Sequence, residues 1–192
     1  MLWEANYMPN FINLLKNKQI IICVTTALLL VVALAFLLNL SPKEDYTEFR
    51  DELVTVSNNI RLHYKLKPDY WGLNNENVIK NKLVRENMVR NKKIISVTGR
   101  EFIIGQNEKG DTVMPTQRNF MITLDNLNKR MCKKVSLVDI YNENNLALQK
   151  IIIRNDKQIV EFEWGGNNPL PITDNNVEKY CKSKNSISWV FE

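Results

Sequence analysis

The sequence predicts an α+β protein in which an apolar helix continues into an amphipathic spine helix packed on an antiparallel β-sheet. Three observations carry this. The run Ile20 to Leu40, IIICVTTALLLVVALAFLLNL, holds no charge. From Tyr46 to Tyr64 the apolar residues recur at three- and four-residue spacing, the stripe of one helix face. Beyond residue 93 the period switches to the alternation of strands, broken by hairpin-length turns.

The chain has 192 residues, 44% of them hydrophobic and 24% charged, with six Gly and six Pro. That suits one globular domain plus an anchor, and excludes disorder and low-complexity fibres. At about 1.5 Å per residue, the uncharged run matches the roughly 30 Å core of a bilayer. A cleaved signal peptide has a shorter apolar core, of about 7–15 residues, and a small-x-small ending. Here the run ends in Asn39-Leu40-Ser41-Pro42, so an uncleaved membrane helix over 20–40 is expected.

Lys16 and Lys18 precede the run, while Glu44, Asp45, Glu48, Asp51 and Glu52 follow it. The basic flank stays inside. Residues 1–19 are therefore expected in the cytoplasm, and 43–192 in an extracytoplasmic domain of a single-pass protein. Cys23 belongs to the apolar run. Cys132 and Cys181 remain, an even number in an oxidising compartment, which predicts a bridge. Closing so long a loop is worth about 4 kcal/mol on the chain-entropy account. Two buried free thiols are the alternative.

The elements of the outer domain follow in order. Tyr46, Phe49, Leu53, Val56, Ile60 and Tyr64 form the packing face of the spine, which Lys67-Pro68 ends. The acidic pair Asp51-Glu52 falls to its solvent side. Val78, Ile79 and Leu83, with Met88, signal a short helix. Ile94 to Val97 and Phe102 to Gln106 read as strands, with NEKGD as a turn after them. Phe120, Ile122 and Leu124 alternate in another strand. DNLNKRMCKKVSLVDI reads as a helix with Leu127, Met131, Val135 and Val138 on one face. ALQKIIIRND and KQIVEFEW form a hairpin about Asn155-Asp156. A Gly- and Pro-rich loop then leads to a helix ending near Cys181. In the last strand, Ile187, Trp189 and Phe191 point inward, and Ser186, Ser188 and Val190 toward solvent.

The order of these parts resembles the type IV pilins, most closely the type IVb branch. NNIRLHYKLKPDYWGLNNENVIKNKLV is similar to the family's helix exit, with its Tyr-x-Gly-Leu and short helix. FMITLDNLNKRMC is similar to its strand and first cysteine-bearing helix. ITDNNVEKYCKSKNSISWVFE is similar to its ending, a second cysteine before a terminal strand. The resemblance covers roughly residues 20 to 192. It implies that Cys132 and Cys181 bound the family's disulfide region and that the terminal strand is a sheet member. One departure stands out. Prepilins carry a Gly before the cleavage point and a Glu at the fifth mature position. This chain has MLWEANYMPNFINLLKNKQ before its apolar run, with no Gly before Gly72, and Glu4 as its only early acid. That puts prepilin-type processing and filament incorporation in question.

Catalytic chemistry has little basis. The one histidine, His63, sits on the spine beside Tyr64 and reads as structural. No nucleophile elbow, Walker or dinucleotide fingerprint occurs, and the outer cysteines with one histidine cannot build a zinc site. No cofactor is expected. Lys80, Lys82, Arg85, Arg90, Lys92 and Lys93 crowd one stretch with only Glu86 against them. Such a cluster either contacts the phosphates of nucleic acid or is a solvated face. The expected partners are the lipid bilayer and other pilin-like or inner-membrane assembly subunits. The alternative is a bitopic protein whose outer domain binds partners without polymerising.

Overall fold

The computed structural model describes residues 46–105, 119–141 and 147–192, together with Ile22, Thr26 and Leu29. The chain divides into two compact units, Met1–Glu44 and Asp45–Glu192. In the first, Ile22, Thr26 and Leu29 are helical and exposed, and Thr26 Oγ1 donates to the Ile22 carbonyl at 2.9 Å. Apart from these three, the expected membrane helix over 20–40, the segment 1–19 and the Pro42 junction lie outside the described residues. Among the described residues no helix is long and apolar enough to cross a membrane.

The second unit begins with helix α1, Thr47–Tyr64. Phe49, Leu53, Val56 and Ile60 are fully buried and Tyr64 nearly so, while Tyr46, the residue before the helix, is half-buried against the core. The three-and-four spacing puts these side chains on one stripe, whose burial stabilises by about 1.5–3 kcal/mol for each large apolar residue. The helix unwinds through Lys65 to Lys67, whose N–H donates to the Tyr64 carbonyl at 2.8 Å, just before Pro68.

Short helix α2, Asn75–Lys80, is capped by Asn74, whose side chain accepts from the Asn77 N–H. The expected helix through Leu83 ends early, because Lys82 takes a left-handed conformation with φ 53°. Met88 falls in a 3₁₀ turn, Glu86–Met88. Then come β1 (Val89–Arg90), β2 (Lys93–Ile95) and β3 (Glu101–Ile104). The sequence periodicity gave no sign of β1, which is two residues long. Val97, expected in β2, lies beyond it. Gln106 and the NEKGD turn lie outside the described residues. Gly105 bridges to Asn74, and a Cβ there would stand 2.4 Å from the Leu73 carbonyl oxygen, so only glycine fits.

The remaining elements are β4 (Phe120–Leu127), α3 (Lys129–Ser136), β5 (Leu148–Asn155), β6 (Ile159–Glu163), α4 (Asp174–Tyr180) and β7 (Asn185–Phe191). The helix expected from Asp125 starts four residues later. Asp125 to Leu127 extend β4, and Asn128 caps α3 by accepting from the Met131 N–H at 2.8 Å. Leu127 is thus buried from a strand, not from the helix.

Within the described residues the strands form one antiparallel sheet in the order β1-β2-β3-β4-β7-β5-β6. β7 lies between β4 and β5, with Trp189 opposite Ile122 on one side and Ile151 on the other. Alternation sends Phe102, Ile122, Leu124, Ile151, Ile153, Phe162, Ile187, Trp189 and Phe191 into the core shared with α1.

Two expectations about polar faces are corrected. The outer face of β7 is not solvated: Ser188 and Val190 are buried, Val190 clustering with Met121 and Ile152. Ser188 is satisfied by a 2.8 Å hydroxyl–hydroxyl bond to Thr123 in the neighbouring strand. Glu52 does not face solvent either. It is 5% exposed and accepts a 2.8 Å hydrogen bond from the Val97 N–H, while its neighbour Asp51 is exposed as expected.

Candidate functional site

The functional residues expected from sequence are the spine face, the terminal strand and the cysteine pair. The structure joins them in one core. Phe49 of α1 stands 5.7 Å from Trp189 of β7 and 5.9 Å from Phe102 of β3, ring centre to ring centre. A second aromatic run links the helix exit to the sheet: Tyr64 to Tyr70 at 5.3 Å, Tyr70 to Phe120 at 4.8 Å, and Phe120 to Phe191 at 5.3 Å. Aromatic pairs of this kind add about 0.5–1.5 kcal/mol beyond their buried area. The spine is therefore held along its length by side chains from three strands and the loop after it.

The polar flank of the spine makes directed contacts. Arg50 Nε donates to the Asp139 carbonyl at 2.7 Å, Asn59 Nδ2 to the Leu83 carbonyl at 2.9 Å, and Arg61 Nε to the Glu192 carbonyl at 2.8 Å. Each replaces water on a backbone oxygen at one point only, so together they fix how the helix lies. Glu52 adds a fourth pin through Val97, and this one has an electrostatic cost. Burial raises its carboxyl above the ordinary range, offset in part by the Val97 hydrogen bond. His63 is half-buried, packed edge-on to Tyr64, with the Lys67 ammonium 3.2 Å from Nε2.

Cys132 in α3 and Cys181 at the end of α4 form the disulfide, with Cα atoms 5.8 Å apart and both residues fully buried. This settles the pairing in favour of a bridge over two free thiols. Thr173 and Asn176 build a reciprocal capping box at the start of α4. Glu178 of α4 pairs with Lys129 at 3.2 Å and with Lys133, both on α3.

Two buried asparagines complete the connection to the sheet; sequence reasoning passed over Asn185 and read Asn155 only as a hairpin turn. Asn185 Nδ2 donates to the carbonyls of Leu127 and Lys182, and its Oδ1 accepts from the Lys182 N–H. Asn155 Nδ2 donates to the Tyr180 carbonyl, one residue before the bridged cysteine, while Oδ1 accepts from the Lys157 and Gln158 N–H groups. The only signal available was their position at strand ends, where Asn reads as ordinary turn chemistry.

The six cations of the basic cluster are spread over the end of α2, the turn after it, the residue before the 3₁₀ turn and the β1–β2 hairpin, and all are exposed. Lys93 pairs with Glu101 at 2.7 Å. At and just beyond the exit of the spine, the large apolar residues Leu62, Leu66 and Trp71 are 68%, 96% and 83% exposed. Among the described residues, no group of three His, Cys, Asp or Glu side chains is placed to hold a metal ion.

No protein-family model matches the chain, and no curated protein matches it. Solved structures do. The type IVb pilin of Salmonella typhi superposes with a TM-score of 0.52 at 13% identity, covering 76% of this chain and 98% of that one. TcpA, a type IV pilin from the El Tor biotype of Vibrio cholerae, superposes with a TM-score of 0.53 at 15% identity, covering 78% of this chain and all of the other. The spine helix, the antiparallel sheet with its central β7 and the disulfide-linked helices together make this a type IV pilin-like fold.

Proposed function

We propose that the protein is a membrane-anchored, pilin-like structural subunit, a minor or atypical pilin of a type IV pilus or a related secretion or conjugation machine. It works by assembly and not by catalysis. The observation that carries this reading is the spine: a long amphipathic helix with one face sealed against the sheet of a pilin-like domain. The uncharged run over 20–40 supplies the anchor, with residues 1–19 in the cytoplasm and 43–192 in the periplasm or a surface filament. The bilayer and other assembly subunits are then the partners. Leu62, Leu66 and Trp71, exposed within one short stretch of chain, offer apolar surface for such contacts.

The second reading keeps the anchor and the outer domain but has no polymer. It is favoured by the sequence before the apolar run, which holds no glycine. Mass spectrometry of the full-length protein purified from its membranes separates the two. An N-terminus trimmed just before the apolar run supports a processed subunit, and an intact one supports the non-polymerising protein. A double variant, Leu66→Asp with Trp71→Ser, tests the surface itself. Its thermal melt should match the parent, because neither side chain is in the core, while cross-linking to copies or partner subunits in cells should fall severalfold. Unchanged cross-linking would exclude this patch from assembly.

A further inference from the structure

The geometry points to a cleft at one end of the sheet that binds a dibasic α-amino acid, a small molecule with one carboxylate and two ammonium groups. The cleft is open, with a volume of about 460 Å³, and lies where β4, β7 and β5 meet. That size is usual for a small-ligand site. Asp125 and Asn126 line it from β4, Ser186 and the preceding Lys184 from the start of β7, and Arg154 and Asp156 from the end of β5. Among the described residues the lining holds no apolar side chain.

The chain makes this cleft by departing from regular pairing. β4 and β7 lose register between Leu124 and Leu127, where Asn126 takes a left-handed φ of 55°. Such an irregularity bends a strand and re-aims its side chains, and Asp125 and Asn126 are both exposed there. At the end of β5, Asn155 Oδ1 accepts from the Lys157 and Gln158 N–H groups, and this turn holds Asp156. Asn155 and Asn185 pair across β5 and β7 and also border the cleft. Both are buried, with their amides engaged on backbone groups, so they frame the site rigidly.

Because β7 lies between β4 and β5, the charges come in order across the cleft. Asp125 is on one strand, Lys184 and Ser186 on the middle one, and Asp156 on the third, with neighbouring strands about 4.8 Å apart. Arg154 stands opposite Ser186 in the register. Opposite charges this close would ordinarily neutralise one another. Yet Asp125, Asp156 and Lys184 make no ion pair among the described residues, and the Ser186 hydroxyl makes no hydrogen bond. Asp125 gives one oxygen to the Asn126 N–H, which leaves the other for a ligand. The complement of this pattern is a carboxylate beside Lys184, Ser186 and Arg154, with one ammonium toward Asp125 and another toward Asp156. Burial lowers the Arg154 guanidinium below its ordinary value, so an anion beside it is favoured. A polar lining suits neither a lipid chain nor a stacked base, and a bare phosphate or metal ion would meet like charge.

Isothermal titration calorimetry of the full-length protein in detergent, with free lysine as the probe, tests this. Saturable binding is expected with a Kd on the order of 1 mM. Norleucine lacks the side-chain ammonium and ε-aminocaproate lacks the α-ammonium. Each should bind roughly fivefold more weakly, the upper end for one exposed ion pair. Asp125→Asn, Asp156→Asn and Lys184→Met should each weaken lysine binding by a similar factor. Their melting should match the parent, because all three side chains are exposed. The proposal is overturned if lysine does not bind, or if the three variants bind it like the parent. Acetate binding as tightly as lysine would overturn it by marking a simple anion site. Equal binding of lysine, norleucine and ε-aminocaproate would overturn it too, since the two ammonium groups would then go unread.

Discussion

The middle of the sheet and its β1–β2 edge are built from opposite choices. In β4 as far as Leu124, in β5 from Lys150 and in β7, local preferences point the same way, and left-handed Asn126 falls at the irregular end of β4. β-branched and aromatic residues alternate, the inward side chains are buried, and the polar pair on the outer face, Thr123 with Ser188, satisfies itself. At the edge the strands are two and three residues long, cations face out, and left-handed positions carry Asn and Lys in place of Gly. The centre is where the chain keeps its stability. The edge is where it has given some up, and such departures gather at working surfaces.

Substitutions in the centre sharpen the contrast. Trp189→Ala should destabilise the domain by about 3–5 kcal/mol, as expected for a large aromatic removed from a close-packed core. Urea melts of the purified protein would show it as a lower midpoint. A melt within ~1 kcal/mol of the parent would place Trp189 outside the cooperative core. Ser188→Ala is a smaller test on the opposite side of the same strand. It should cost about 0.5–1.5 kcal/mol, because the Thr123 hydroxyl loses its partner in a covered environment. A neutral result would return that face to solvent.

The smallest effect, with the opposite sign, belongs to Glu52. Its carboxyl is raised by burial, so the folded state holds a proton more readily than the unfolded chain. Glu52 therefore detracts from stability above its raised folded value. That penalty fades as pH falls through the raised folded value toward the ordinary carboxylate range, below which the unfolded chain is protonated too. Glu52→Gln keeps an oxygen to accept from Val97 and removes the charge. It should raise stability by less than about 1 kcal/mol at neutral pH, with the gain shrinking on acidification. A loss of stability at neutral pH would show that the ionised carboxylate is preferred at this site.

Much of the centre was legible because its periodicity is enforced by burial. The spine stripe from Phe49 to Tyr64, the β5–β6 hairpin and the inward trio of β7 follow from spacing alone. Boundaries were less legible, since they depend on capping partners. Asn128 ends β4 and starts α3, yet Asp125 to Leu127 are equally compatible with either neighbour until the strand opposite is known. Glu52 was misjudged because its place on the helical wheel gives no hint that the Val97 amide would meet it. The outer face of β7 was misjudged for a related reason. Serine in a strand suggests water, and only the pairing with β4 shows that Thr123 takes that role. β1 was invisible, since two residues carry no period.

The central place of β7 also dictates an order of events. β1 to β4 can pair with one another as they emerge, and β5 with β6, giving two separate pieces of sheet. Each then presents an open edge, β4 on one and β5 on the other, and these two strands do not pair directly. Only β7 closes both, the strand that lies furthest along the described chain. A polypeptide that is still being made, or still being threaded through a pore, therefore cannot complete this domain until residues 185–191 have come through. Its contacts are long-range, so closure is slow compared with the hairpins. Throughout that interval the two edges are the parts most in need of shielding from other chains.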